Sequence, residues 1–373
     1  MPGQRPPFRA DHVGSFLRPP ELLAARERFR KGEIDRAALS LVEDEAVRGV
    51  VRMQEAVGLK SITDGEFRRA SFHTDFLGRL EGLGTQPGES AVPFRSATTG
   101  EVTALAPPKL VVTGKLNRPG PIAGPAFDFL KSVTHETPKV TIPSPSMVHF
   151  RGGREAVDKD AYPDMEGFFA DLVRIYREEI ADLARRGCRY VQFDDTNLAY
   201  LCDEHMREGA RRIGEDPDEL PALYARLISE ALAEAPADMV TGVHLCRGNF
   251  RSSFVAEGGY DPVAEVMFNQ TRVDAFFLEY DDARSGSFEP LRYVPKNRFV
   301  VLGLISSKIP QLEPKDLIRR RIDEAAKVLP LEQLCLSPQC GFSSTEHGND
   351  LTFDDQRRKL ELVVEIAREV WGD

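Results

Sequence analysis

The chain has 373 residues, 41% hydrophobic and 29% charged, which is the balance of a folded globular protein and far from disorder. Its formal net charge of −10 and pI near 5.4 oppose general attraction to phosphate backbones or anionic membranes, so neither nucleic acid nor membrane is an expected partner. The N-terminal MPGQRPPFRA lacks the apolar core of a signal peptide, no apolar run is long enough to span a bilayer, and five scattered cysteines argue against a disulfide framework; a cytoplasmic protein is expected.

The length favours a single large domain over residues 1–373, carrying one insertion. Short β-rich runs occur in chain order at HVGSF (12–16), SITD (61–64), KVTIPSP (139–145), YVQFDD (190–195), MVTGVHLC (239–246), VDAFFLEY (273–280), FVVLGLIS (299–306) and LCLSPQC (334–340). They mostly alternate with amphipathic helical stretches, the signature of parallel strands joined by crossover helices, and eight of them predict an α/β fold of the (β/α)8 TIM-barrel type.

Between the second and third runs, residues from about 80 to 135 break the rhythm with Gly, Pro and Thr. A β-rich insertion is expected there, with a hairpin around TGEVTALAPPKLVVTG. The stretch 163–187 places Met165, Phe168, Phe169, Leu172, Tyr176, Ile180 and Leu183 mostly three or four apart, predicting a helix with one buried face that ends at Gly187. A closing helix over about 353–371 repeats the pattern with Leu360, Val363, Val364, Ala367 and Trp371.

Chemistry concentrates at the ends of the later strands. His244 and Cys246 are two residues apart, so strand alternation sends both to one face. Glu279 ends the next run, 33 residues after Cys246, and Cys340 follows the last run by a turn through Pro338. Taken singly, each reads as a buried strand-end residue or a solvated loop acid. Together they are a nitrogen, an oxygen and two sulfurs at the carboxyl ends of barrel strands, where the active site of such a fold lies. That soft donor set suits a catalytic Zn2+ and suits magnesium poorly.

With HVGSF, DGEF, VQFDD, HLCRGNF, FLEYDD and SPQCGFSS in this order over nearly the whole chain, the sequence resembles the catalytic barrel of the cobalamin-independent methionine synthase family. The resemblance implies that His244, Cys246, Glu279 and Cys340 are zinc ligands and catalytic residues. It implies a 5-methyltetrahydropteroyltriglutamate-homocysteine methyltransferase-like reaction, in which homocysteine binds the metal through sulfur and attacks an activated methyl group to give methionine. Glu66 and Asp194 match the acids that hold the ammonium group of homocysteine, and Ser15 matches a contact to its carboxylate.

The match has two departures. The family's full-length members carry a further N-terminal barrel, which leaves the methyl donor open between a methyl-folate, methylcobalamin and a simpler donor. The family's proton-transferring histidine after strand seven is absent from GLISSK, where Ser306 is read at the aligned place. A related zinc thiol alkyltransferase resembling epoxyalkane:coenzyme M transferase is the alternative, although its sulfonate-bearing thiol calls for cations where Glu66 and Asp194 stand. A zinc-binding scaffold without activity is the third reading. Arg247 and Asn249 are read as loop residues or anion contacts, His12, His73 and His149 as histidines satisfied in the fold, and Cys188, Cys202 and Cys335 as packing.

Overall fold

A computed structural model describes residues 5–88 and 92–372. The strands, in chain order, are β1 (Ser61–Ile62), β2 (Glu81–Gln86), β3 (Val92–Ser96), β4 (Val102–Leu105), β5 (Lys109–Asn117), β6 (Thr137–Pro138), β7 (Val140–Pro143), β8 (Tyr190–Asp195), β9 (Val240–Leu245), β10 (Ser253–Phe254), β11 (Ala275–Glu279), β12 (Phe299–Ile305) and β13 (Leu334–Pro338). Six of them form one parallel sheet in the order β13-β12-β11-β9-β8-β7. The fold is therefore α/β.

These strands are buried almost end to end, as in YVQFDD and AFFLE. Near-continuous apolar runs are what strands covered on both faces require. One face carries Tyr190, Ala275, Phe277, Val301 and Cys335 as a single apolar cluster. Alternation then places Gln192, Asp194 and Glu279 further along that same face, toward the carboxyl ends.

At one edge of the sheet the N-terminal segment joins β13 through a parallel bridge, Ala10 to Leu336, with Asp11 N donating to Leu336 O at 2.9 Å. At the other edge β1 pairs in parallel with β6, immediately before β7. Phe16 N donates to Gly65 O at 3.2 Å, linking the segments that follow the two short runs.

The strand expected at 12–16 is thus shorter and earlier than the sequence suggests. Gly14 has φ +131, which leaves the extended region, and a Cβ there would lie 2.7 Å from the Thr141 side chain. The segment turns instead, presenting Ser15.

The region 80–135 also differs in pairing. β4 turns back on β3, while β5 pairs antiparallel with β2. The expected partners are separated by Pro107 and Pro108, which restrict φ and lack N–H donors, so no tight hairpin forms between them. Gly100, at φ +72, makes the turn instead. A helix, Gly124–Val133, completes the region, and residues 89–91 of it lie outside the described residues.

The two expected helices are Met165–Arg186 and Phe353–Trp371. The first is capped by Asp164, which accepts from Gly167 N, and ends in left-handed Gly187 at φ 93. The second opens on a capping box between Thr352 and Asp355. No helix among the described residues is long and apolar enough to cross a membrane.

Candidate metal centre

His244 lies on β9 and Cys246 one residue past its end, Glu279 ends β11, and Cys340 follows β13. All four are buried, and one donor atom from each lies within 4.8 Å of every other. The two sulfurs are 3.4 Å apart. Ligand atoms of a tetrahedral zinc ion, each ~2.0 to 2.3 Å from the metal, are spaced in this range.

Donor chemistry supports the fit. His244 Nδ1 lies 3.2 Å from Asp194 Oδ1, and its Nε2 is buried without a hydrogen-bond partner among the described residues. A histidine whose Nδ1 is held by a carboxylate can turn Nε2 toward a metal ion that displaces its proton, the arrangement found behind metal-bound imidazoles. Asp194 is itself held by Gln192 Nε2 at 2.7 Å.

Charge is distributed for anionic ligands. Burial would lower the His244 imidazole, but Asp194 and Cys340 outweigh it and bring it up to about 10. The hydrogen bond from Cys246 and the neighbouring His244 hold the Cys340 thiol well below its ordinary value, while the same contact and burial push Cys246 up. Burial would raise Glu279, yet Lys308, Arg284 and the Arg247 N–H together bring it down to about 2. Its oxygens accept from Arg247 N at 2.9 Å, Gln339 Nε2 at 3.1 Å and Arg284 at 3.2 Å.

The expected substrate residues gather on the neighbouring segments. Glu66 is buried in the left-handed region at φ 61, a conformation that costs a side-chain-bearing residue ~1 kcal/mol or more. Thr141 Oγ1 donates to its Oε1 at 3.1 Å, and its Oε2 is buried without a partner among the described residues. Burial pushes the Glu66 carboxyl up to about 7 against the pull of Arg69, with the Asp194 charge adding to the rise. Ser15 is buried beside the Cys340 loop, its carbonyl accepting from Phe342 N at 2.9 Å and its Oγ from Ser343 N at 3.4 Å. A Cβ on Gly341 would fall 1.9 Å from Ser15 Oγ, so the close approach of these two loops depends on glycine.

Asn249 tethers its own loop to the Cys340 loop through Gly341 O at 2.8 Å, while Arg247 lies fully buried with its guanidinium 4.5 Å from the Tyr260 ring centroid. His149 is satisfied in the fold, its Nδ1 3.1 Å from Tyr224 Oη and its Nε2 3.3 Å from Glu215, whereas His12 has Nε2 2.8 Å from Ser61 O and its buried Nδ1 without a hydrogen-bond partner among the described residues. Cys188, Cys202 and Cys335 are buried and form no disulfide. Ser306, read at the place of a proton-transferring histidine, uses its hydroxyl to accept from Lys308 N at 3.3 Å. The sequence reading passed over Lys308, Gln339, Arg284 and Gln192. Their signal was present only as polar residues in or soon after strands, in SSK, PQC, DDARSG and YVQFDD.

Residues 8–369 match the family model described as cobalamin-independent synthase, catalytic domain. The Bacillus subtilis protein YxjH is 43% identical over 99% of this chain and 96% of its own length. A 5-methyltetrahydropteroyltriglutamate--homocysteine methyltransferase of Thermosynechococcus vestitus is 22% identical over 98% of this chain, which spans 44% of that protein. Among solved structures, a candidate vitamin-B12-independent methionine synthase of Listeria monocytogenes superposes with a TM-score of 0.78 at 37% identity, covering 99% of this chain and 100% of that one. A B12-independent methionine synthase of Shewanella, solved with selenomethionine, shares the fold at a TM-score of 0.69 and 18% identity, covering 96% of each chain. The chain therefore belongs to the cobalamin-independent methionine synthase family, matching its catalytic domain.

Proposed function

We propose that this protein is a cytoplasmic, zinc-dependent methyltransferase that methylates the thiol of homocysteine to form methionine. The observation that carries the reading is the buried quartet of His244, Cys246, Glu279 and Cys340, with His244 backed by Asp194 and its Nε2 without a hydrogen-bond partner among the described residues. We further take the chain as one catalytic domain, a (β/α)8 barrel completed by the N-terminal segment and β1, with about 80–135 inserted between the second and third barrel strands. The Ala10–Leu336 bridge and the β1–β6 pairing support that closure.

When bound, zinc would act as a Lewis acid that keeps an incoming thiol deprotonated near neutral pH. The protein's own groups do the rest. Asp194 holds the Nδ1 proton of His244 and so keeps Nε2 free to ligate. Arg284, Gln339 and the Arg247 N–H keep Glu279 ionised and oriented. The unpartnered Oε2 of Glu66 and the carboxylate of Asp194 attract the ammonium of an amino-acid thiol, while Ser15 contacts its carboxylate. The same acids would repel a sulfonate-bearing thiol, which disfavours a coenzyme M-type acceptor.

The test is a product assay with purified protein, homocysteine and either 5-methyltetrahydrofolate or methylcobalamin, before and after removal of metal by a chelator. Methionine that appears with one donor and disappears with the metal is the expected result. Absence of methionine with both donors would reject the reading.

A further inference from the structure

We propose that Gln192 is a positioning residue for the acceptor thiol, its carboxamide turning one oxygen of Asp194 toward the amino group of homocysteine. The inference rests on the methyltransferase reading above and adds to it a residue that need not touch the substrate. It begins with a ladder of side chains. Tyr190, Gln192 and Asp194 are alternate residues of β8 and share one face of it. Tyr190 Oη donates to Asp11 Oδ2 at 2.8 Å, and Gln192 Nε2 donates to Val13 O at 2.8 Å. Both acceptors lie on the N-terminal segment, two residues apart like the donors. The next pair in that series is Asp194 and Ser15, and no hydrogen bond joins these two among the described residues.

Gln192 is fully buried, and its partners identify the NH2 end of the amide. Nε2 meets Val13 O at 2.8 Å and Asp194 Oδ1 at 2.7 Å. A carbonyl and an ionised carboxylate only accept, so both N–H groups are spent there. Oε1 is buried without a hydrogen-bond partner among the described residues. An unsatisfied buried acceptor offsets much of what the two donated bonds contribute to stability, so the distinctive effect of the amide is orientation.

That orientation falls on one oxygen. Gln192 Nε2 and His244 Nδ1, at 2.7 and 3.2 Å, both approach Asp194 Oδ1, while Oδ2 has no hydrogen-bond partner among the described residues. Glu66 shows the same division, with Thr141 Oγ1 holding Oε1 at 3.1 Å and Oε2 left free. The two acids are near enough for the charge of Asp194 to raise the Glu66 carboxyl. Each acid therefore gives one oxygen to the fold and offers the other, and two offered carboxylate oxygens suit an ammonium with its three donors.

His244 alone would not fix Asp194. The terminal torsion of an aspartate is soft, so a single contact at Oδ1 leaves the carboxylate free to turn. The second bond, from Gln192, sets its plane, because the amide is itself anchored to a backbone carbonyl. That carbonyl belongs to Val13, two residues before Ser15, so one side chain ties the ammonium-binding acid to the segment that carries the candidate carboxylate contact. A group held in place before the ligand arrives needs no ordering on binding, which raises affinity without a direct contact.

The experiment measures binding of two thiols by titration calorimetry at saturating zinc: homocysteine, and its deamino analogue, which keeps the thiol and the carboxylate and lacks the amino group. Wild type is compared with Gln192→Met, which keeps the side-chain length and removes both donors, and with Gln192→Asn, whose amide is one methylene too short to reach both acceptors. Each substitution is also placed in an Asp194→Asn background. In both single variants the homocysteine dissociation constant is expected to rise about tenfold or more, with that of the deamino analogue within about twofold of wild type. The effect on homocysteine should vanish in the Asp194→Asn background, because it passes through that carboxylate. Equal weakening of both thiols with a lowered Tm would overturn the proposal, since the glutamine would then serve core packing alone. So would homocysteine binding within about twofold of wild type in both variants. If wild type binds neither thiol, the functional reading itself falls; if it binds homocysteine no better than the deamino analogue, the ammonium clamp falls and the role of Gln192 with it.

Discussion

Asp194 Oδ1 stands 3.2 Å from His244 Nδ1, and this contact links a candidate metal ligand to a candidate substrate residue. The same carboxylate that orients a candidate metal ligand also adds its charge to the field around Glu66. On the proposed function, the candidate metal set and the candidate amino-acid clamp therefore share a residue, and perturbing one should be felt by the other.

Asp194→Asn should weaken zinc binding by about 10- to 100-fold, because an amide can donate to Nδ1 and favour the tautomer whose Nε2 carries the proton. Competition against a chromophoric chelator measures this directly. Wild-type zinc affinity in the variant would mean that His244 needs no carboxylate behind it.

Cys340→Ser should lose metal and activity together, since its sulfur lies 3.4 Å from that of Cys246 and within 4.8 Å of the other donors. Metal analysis of the dialysed variant, beside a methionine assay, reads both quantities. Retention of full zinc content would remove Cys340 from the ligand set.

Glu66 predicts a pH dependence of acceptor binding. Burial pushes its carboxyl up to about 7 from an ordinary 4.5, so below pH 7 the acceptor-free pocket holds it protonated and less attractive to an ammonium. The KM for homocysteine should rise toward acid, approaching about tenfold per pH unit, and Glu66→Gln should show a high KM without that slope. For folding the sign is opposite. A raised folded value contributes stability that is full below the unfolded 4.5 and is lost as pH rises through 7. Parallel KM profiles for the two proteins would separate Glu66 from substrate binding.

Gly341→Ala tests the Ser15 contact while leaving the four candidate ligand side chains unaltered. The new methyl carbon would sit 1.9 Å from Ser15 Oγ and 3.1 Å from Ser15 Cβ, forcing the serine away from its place. Loss of one hydrogen bond to a charged group corresponds to about a tenfold or greater rise in KM for homocysteine. Zinc content should be unchanged. An unaltered KM would show that the Ser15 hydroxyl does not contact the acceptor.

The sequence determined the parts of this protein that depend on local regularity. Runs such as YVQFDD and VDAFFLEY announced buried parallel strands, and their two-residue period alone put His244 and Cys246 on one face and Glu279 at a strand end. Apolar residues three or four apart likewise fixed the helices Met165–Arg186 and Phe353–Trp371 to within two residues. Tertiary structure decided whatever depends on two distant segments meeting. It set which strands of the 80–135 region pair, because the prolines at 107 and 108 only forbid one partner and do not choose another. It set the Asp194–His244 contact, whose residues are 50 apart in sequence. It also left Lys308 Nζ without an acceptor while Ser306 was drawn into a turn, since a lysine's flexible stem is directed by the packing around it and by nothing in its own position along the chain.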